Sequence, residues 1–373
     1  MMSKKWVLLT NDDGIEAPGF EMLVKSLNKR GIALIAFAPS TNKSACSMQI
    51  NLGKPMDLHN REDLVATWKL DQSVGCHLFS LDGTPCDTMI VALDGGLENV
   101  IPGIVPSLGV SGVNLGPNLS QDSCHSGTIG AAREAGLYGM PAIACSFTSF
   151  ELEGMEQGVE GSVQLVERAL EVLPIVPENL CRPHIDAEAF HVSKWPSNSE
   201  PRESKDAMKM LLHAFQNGEL MININVPPTW NSKFQTTRLG MRWYRDAVQF
   251  GAEDLDGTVE ARFTIGAAYI DTEPVSKGDC DSIADHFASI SSLANWPQTH
   301  PLALDDELLS HALKQGADGF PLWLRGRVQH VHPIRNDIIQ LQGVLGAMLI
   351  RVILVFHHQS QVEGHLKAQK RYP

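Results

Sequence analysis

An apolar run, Trp6-Val7-Leu8-Leu9, passes directly into Thr10-Asn11-Asp12-Asp13-Gly14, and no other junction constrains this chain as much. A short apolar run bounded by turn residues reads as a buried strand. The next segment, Ala17 to Arg30, reads as a helix, with Phe20, Leu23, Val24 and Leu27 at i, i+3, i+4 and i+7 forming one apolar stripe. Pro18 suits its first turn, Lys29 and Arg30 its last turn, and Gly31 its end. A second apolar run, Ile32 to Phe37, leads into Ala38-Pro39-Ser40 and a polar loop that reaches Ser47. Strand, helix and strand at this spacing form a βαβ unit, whose usual product is a parallel sheet. Ligands bind at the carboxyl ends of such strands. The Asp pair and the loop Ser40 to Ser47 both leave ends of that kind.

Two adjacent carboxylates at a strand exit repel, and each resists ionising unless something positive lies beside it. A divalent cation resolves that conflict. Asn, Asp and Gly are also ordinary turn residues, so this stretch alone leaves both readings open.

Further along, Gln49 to Leu81 reads as irregular or antiparallel strand material. Thr84 is a fitting cap and Pro85 a fitting first residue for a helix that buries Met89, Ile90 and Leu93 and stops at Gly95-Gly96. Leu108 to Val110 is a third strand, running into the loop Ser111-Gly112-Val113-Asn114-Leu115-Gly116-Pro117-Asn118. Gly and Asn there let the backbone approach a ligand. The spacing is not a dinucleotide fingerprint. Ser126 reads as the cap of an Ala-rich helix over Ile129 to Tyr138, and the free N–H groups of its first turn suit an anion. A cap with no ligand is equally compatible. Pro141 to Phe147 is a fourth strand, Val159 to Leu173 a core helix, and Met221 to Val226 a strand ended by Pro227-Pro228. Residues from Thr236 to Phe263 have the alternation of hairpins, and Asp279 to Leu293 brings four apolar residues, Ile283, Phe287, Ile290 and Leu293, to close this part of the chain.

Composition excludes some classes. The formal net charge of −13 argues against binding a nucleic-acid polymer, because that affinity comes from phosphate neutralisation by Lys and Arg. A small phosphate ester held through a metal is not excluded. The cysteines at 46, 76, 86, 124, 145, 181 and 280 form no C-x-x-C pair, which suits reduced thiols in the cytoplasm. No signal-peptide core precedes the first strand. The longest apolar stretch, Val344 to Phe356, is broken by Arg351, so no membrane span is expected. In the last segment, His330-x-His332 and His357-His358 lack a Cys or carboxylate framework with zinc spacing.

Several of these pieces together resemble the SurE family of survival-protein nucleotidases. They are Leu9 to Ile15 with Ala17-Pro18-Gly19, Ala38-Pro39 with Asn42-Lys43-Ser44, and Gly83-Thr84-Pro85 with Asp87. Ser111 to Asn118, Ser126-Gly127-Thr128 and Asn223-Ile224-Asn225-Val226-Pro227 follow in the same order. The resemblance covers about Trp6 to Leu293. It implies a three-layer α/β/α, Rossmann-like, mostly parallel sheet with an added β-hairpin region. It places one phosphatase domain at residues 5–294, with a polar insertion at about 183–209 of disordered composition. Residues 295–373 are then an extension with no counterpart, to which no structure is assigned.

The resemblance also implies a site. Asp12, Asp13, Ser44 and Asn114 match the positions that hold a divalent ion. Their hard oxygens suit Mg²⁺ or Mn²⁺ better than zinc. Asp12, Asn11, Asn118, Ser126 and Thr128 are the expected catalytic residues. Asn118, Ser126, Gly127 and Thr128 are expected to bind phosphate. Ser126 is disfavoured as a covalent nucleophile, since no activating base accompanies it. The implied substrate is a nucleoside monophosphate or another small phosphomonoester, and the implied assembly a homodimer or homotetramer. Departures from the family pattern are His125 where Tyr is common, Ser40 where Asp is common, and a closing segment, Asp281 to Leu293, without the usual Gly-Tyr pair. Those departures keep a second reading in play, a regulatory or binding protein of weak turnover. A phosphoacceptor receiver domain is disfavoured, because Asn114 stands where a phosphorylatable Asp would be needed.

Overall fold

The computed structural model describes residues 4–180, 206–251, 261–266 and 269–325. The expected βαβ unit is β1 (Trp6–Thr10), α1 (Pro18–Lys29) and β2 (Ala33–Pro39). Val7 and Leu9 of β1 join Leu34, Ala36 and Ala38 of β2 in one buried cluster, while Leu8, Ile35 and Phe37 join another on the opposite face. Both faces are covered, which explains why these strands are continuously apolar and do not alternate. On α1, Phe20, Leu23, Val24 and Leu27 are fully buried, each contributing about 1.5–3 kcal/mol.

Next come β3 (Leu58–Asn60), α2 (Glu62–Thr67), β4 (Cys76–Leu81) and α3 (Pro85–Val91). Thr84 and Asp87 close α3 with a capping box, Thr84 Oγ1 accepting from Asp87 N and Asp87 Oδ2 accepting from Thr84 N. A kinked turn, Ala92–Gly96, joins it to α4 (Leu97–Val100). The chain continues through β5 (Pro106–Leu115), α5 (Asp122–His125), α6 (Gly127–Leu137), β6 (Ala142–Phe147) and α7 (Met155–Val172). After α8 (Ala207–Gln216) come β7 (Leu220–Val226), β8 (Phe234–Thr237), β9 (Met241–Arg245), β10 (Val248–Phe250), β11 (Phe263–Ile265) and β12 (Tyr269–Glu273). The last elements are α9 (Asp279–Ala284), β13 (Ala288–Ala294) and α10 (Asp306–Ala312).

The main sheet has the order β3-β4-β2-β1-β5-β6-β7-β13-β8. From β4 to β7 all neighbours are parallel; β3 runs antiparallel to β4, and β13 antiparallel to β7 but parallel to β8. Residues of α1, α7 and α8 cover one face, and residues of α3 and α6 the other. This is the three-layer α/β architecture. Because the chain builds outward from β1 to β2 and β4, then returns to β5 on β1's other side, the carboxyl ends of β1 and β5 flank the switch point.

Three expectations need correcting. Gln49 to Leu81 is not antiparallel throughout, since it contains α2 and the parallel strand β4; Cys76, Leu78 and Leu81 of β4 are buried. Ser111 to Leu115 is not loop but the end of β5, with a register shift against β6 between Ser111 and Asn114. The hairpin region is split, because β8 belongs to the main sheet while β9 pairs with β12 and β10 with β11. Of the polar insertion, residues 183–205 lie outside the described residues, and Asp206 caps α8.

The first compact unit runs past the expected boundary, to Arg325. Leu304, Leu308, Phe320, Trp323 and Leu324 pack in the same cluster as Phe215 of α8 and Leu220 of β7. The Trp323 and Phe215 rings lie 5.4 Å apart. The rest of the expected extension, with His330, His332, His357, His358, His365 and the stretch from Val344 to Phe356, lies outside the described residues. The described cysteines are all free thiols.

Candidate active site

Asp12 leaves β1 at the switch point, almost fully buried. Its Oδ1 accepts the Thr128 hydroxyl at 2.5 Å. Burial raises its pKa from 3.8 to about 6, and the Asp13 charge adds to the rise, while the Thr128 hydroxyl opposes it. Asp13 is half-buried; burial lifts it too, against hydrogen bonds from the Leu115 N–H, at 3.1 Å, and the Ser44 hydroxyl. Thus Asp13 bridges the loop after β2 and the end of β5. Two neighbouring carboxylates held in this way keep the charge problem seen in the sequence, with hydroxyls and amides rather than cations as their protein partners.

The loop carrying Ser44 is fixed from several sides. Lys43 N donates to the Asp12 carbonyl at 2.6 Å, and Ser44 N to Asn42 Oδ1 at 2.8 Å. Ser47 N donates to the His125 carbonyl at 2.9 Å, and Ser47 Oγ to the Cys124 carbonyl at 2.8 Å. Gly14, with φ of 101°, lets the first loop turn tightly beneath it; a Cβ there would lie 3.2 Å from the Thr41 carbonyl carbon.

On the other side, Ser126 caps α6 by accepting from Ile129 N at 3.1 Å. The following residue, Gly127, packs against Asp12 so closely that a Cβ would come within 2.8 Å of Asp12 Cβ and 2.7 Å of Cys46 Sγ. The helix N-terminus therefore faces the Asp12 carboxylate directly, where its partial positive charge favours an anion.

The remaining expected residues take quieter positions. Asn114 donates Nδ2 to the Gly116 carbonyl at 2.9 Å, which leaves its amide oxygen as the free end. Asn11 donates Nδ2 to the Gly14 carbonyl at 2.8 Å, and its buried Oδ1 has no partner. Asn118 is bound into the sheet. Its N–H donates to Asn225 Oδ1 at 2.8 Å and its Nδ2 to Ser146 Oγ at 2.7 Å. Its carbonyl accepts from Asn223 Nδ2 at 2.9 Å and Asn225 Nδ2 at 3.1 Å. The fold thus brings Thr128 and Gly127 onto Asp12, and Ser44 and the Leu115 N–H onto Asp13, with Asn114 next to Leu115 in the chain. The Ser126 hydroxyl accepts from Ile129 N and keeps its own hydrogen to donate.

Residues that sequence reasoning did not assign complete the walls. Asn223, Asn225 and Ser146 extend the α6 face of the sheet, where Ala142, Ala144 and Met221 give way to amides and a hydroxyl toward the strand ends. The signal was present, since Asn-Ile-Asn puts two amides on one face of an otherwise apolar strand. Asp279 accepts from Ser120 N at 3.1 Å, Gly240 N at 2.8 Å and Cys280 N at 2.8 Å, against the upward push of burial on its pKa. Asp122 pairs with Arg242 at 3.2 Å and accepts the Tyr244 hydroxyl at 2.5 Å. No local pattern announces these long-range partners.

Among the described residues no group of three or more His, Cys, Asp and Glu is assembled. At the switch point stand two adjacent carboxylates, with the Ser44 hydroxyl bonded to Asp13. Those carboxylates, raised by burial and lacking a cationic side chain among their hydrogen-bond partners, fit a hard divalent cation.

Residues 7–246 match the family described as survival protein SurE. The 5'-nucleotidase SurE of Syntrophotalea carbinolica is 30% identical over 291 residues, covering 77% of this chain and 90% of that protein. The 5'-nucleotidase SurE of Desulfitobacterium hafniense is 39% identical over 144 residues, covering 39% of this chain and 51% of that one. The crystal structure of a SurE protein from Aquifex aeolicus superposes with a TM-score of 0.53 at 21% identity, covering 79% of this chain and 95% of its own.

Proposed function

The chain belongs to the SurE family, and from that membership we propose that it is a metal-dependent phosphomonoesterase acting on nucleoside monophosphates. The observation that carries this reading is the pair of buried Asp12 and half-buried Asp13 at the switch point, faced by the first turn of α6. Asp12, Asp13, Ser44 and Asn114 would hold Mg²⁺ or Mn²⁺. The ion's contribution is Lewis acidity toward the phosphoryl group and a water.

The chain's own residues do the rest. Thr128 holds Asp12 Oδ1, leaving Oδ2 as the oxygen that takes a proton from the attacking water. Burial lifts that carboxyl to about 6 in the ion-free chain, and a bound cation would pull it down and keep it ionised to accept the proton. The first turn of α6, with Gly127 and Thr128, offers backbone N–H groups to the equatorial oxygens as charge builds on them. Asn118, anchored by β6 and β7, retains one Nδ2 hydrogen for the same purpose. Asn11 shapes the turn through Gly14, and Ser126 caps the helix with its oxygen while its hydroxyl hydrogen serves a phosphoryl oxygen.

The reading includes a homodimer or homotetramer in the cytoplasm. Exposed Phe250, Phe263 and Ile265 on β10 and β11 offer apolar surface for such an assembly, and light scattering of the purified protein tests it. No helix among the described residues is long and apolar enough to cross a membrane. The decisive assay for function is phosphate release from AMP and p-nitrophenyl phosphate, with and without Mn²⁺. Release that needs the ion supports the proposal. No metal-dependent release by pure protein would leave the weakly catalytic binding protein as the better reading.

A further inference from the structure

Asn118 is held by both sides of its backbone. Asn225 alone takes its N–H, through Oδ1 at 2.8 Å, and returns Nδ2 to its carbonyl at 3.1 Å. Asn223 Nδ2 adds a second donor to the same carbonyl at 2.9 Å. The Asn118 side chain is steered separately, by Nδ2 to Ser146 Oγ at 2.7 Å. Asn223, Asn225 and Ser146 are all inaccessible to solvent, and Asn223 Oδ1 finds no partner. Burying two amides in an apolar strand is costly, the more so when one acceptor stays unpaired. Valine at both positions would make a better strand. What the amides achieve is to fix the peptide of one residue in the loop that runs from β5 to α6.

We propose that Asn225, assisted by Asn223 and Ser146, is a positioning residue that clamps the Asn118 peptide so that its remaining amide hydrogen meets a phosphoryl oxygen. The assignment rests on the phosphomonoesterase reading above. Asn225 touches no substrate and acts through Asn118. A side-chain amide that accepts from the N–H and donates to the C=O of one residue holds the peptide groups on both sides of it, so it fixes the residue's orientation as well as its place. Small misplacements of a positioned group can cost about 100-fold in rate.

The test uses Asn225→Asp. The carboxylate keeps an acceptor for the Asn118 N–H but replaces the donor with an oxygen facing the Asn118 carbonyl. Protonation of that carboxyl restores a donor. With p-nitrophenyl phosphate and Mn²⁺, kcat of the variant should fall about tenfold or more below wild type at alkaline pH, with KM moving less. The ratio of variant to wild type should climb about threefold or more as the pH falls and the new carboxyl takes a proton. Taking the ratio removes the titration of Asp12 and Asp279, which both proteins share. Ser146→Ala, which disturbs only the side chain of Asn118, should lower kcat about threefold or more at every pH. Hydrogen exchange of the peptide spanning residues 115–121 should be faster in Asn225→Asp than in wild type under alkaline conditions. Wild-type turnover combined with a flat ratio, or with full activity in both variants, overturns this inference alone. Absence of metal-dependent release by the wild type overturns the hydrolase reading and this inference with it.

Discussion

Thr128 reaches Asp12 with one hydrogen bond, Oγ1 to Oδ1 at 2.5 Å, and so fastens the helix start of α6 to the exit of β1. It is also the main opposing influence on a carboxyl that burial pushes up to about 6. Thr128→Val keeps the shape and removes the donor. Asp12 should then titrate still higher, and the acid limb of kcat/KM should move to higher pH, with about a tenfold loss at neutrality that lessens in alkali. A pH–rate profile checks this; an unmoved acid limb would contradict the role given to Thr128.

Asp12→Asn should separate activity from stability. Metal-dependent turnover should drop by about 100-fold or more, since charge stabilisation worth several kcal/mol is lost. The fold should gain. The folded-state pKa of Asp12, at about 6, lies above its ordinary 3.8. Protonation therefore favours the folded state; that contribution is fully present below 3.8 and lost as the pH rises through about 6. The difference corresponds to about 2–3 kcal/mol. Metal-free Asp12→Asn should thus melt higher than metal-free wild type above that pH, and at nearly the same temperature in strong acid.

Divalent ions should reverse that order. Wild type should gain about 2.7 kcal/mol at a hundredfold excess of Mn²⁺ over its Kd. The gain should grow with pH, because protons compete for the carboxylates. Chelation should return the melting temperature to its metal-free value. Asp12→Asn should show little of this, and an equal metal shift in the two proteins would remove Asp12 from the metal centre.

Gly127→Ala tests the closeness of α6 to the acidic pair. Alanine in a first helical turn is ordinarily favourable, but here its Cβ would come within 2.8 Å of Asp12 Cβ. Overpacking of this kind costs about 1–3 kcal/mol. The activity loss should be larger than the stability loss implies, about tenfold or more, because Asp12 itself must move. Calorimetry and turnover measured on the same preparation make the comparison.

Trp323→Ala examines the segment beyond β13. Trp323 is buried against Phe215. Its truncation should cost about 3–5 kcal/mol, with kcat per folded molecule unchanged. A melting temperature close to wild type would show that this segment is an appendage after all.

Much of this architecture can be read from local pattern. The apolar run before Asp12, the stripe on α1 and the Thr84-Pro85 start of α3 each rest on neighbours in sequence, and each takes the expected form. Ser126 as a cap is equally local. The misses are of another kind. Cys76 to Leu81 becomes a parallel strand because β2 lies beside it, and Ser111 to Leu115 becomes strand because β6 does. The residues from 302 to 324 lack the rhythm of a sheet, yet Leu304 and Trp323 fill space that α7 and α8 leave open. At the site, residue types in loops were legible. The pairings that aim them, such as Asn225 on Asn118 or Asp279 on Ser120, depend on which distant strands become neighbours.

The clamp on Asn118 also has a meaning for biosynthesis. Asn225 lies 107 residues downstream of the residue it orients. A ribosome therefore finishes every side chain of the acidic pair, the Ser44 loop and the α6 start long before it makes β7. Up to that moment the nascent sheet offers β6 as an open edge, and the loop over it lacks both amides that hold its peptide. Domains tend to fold as units during synthesis, so the acidic pair is among the first parts made, and the amides that hold Asn118 in place arrive only with β7.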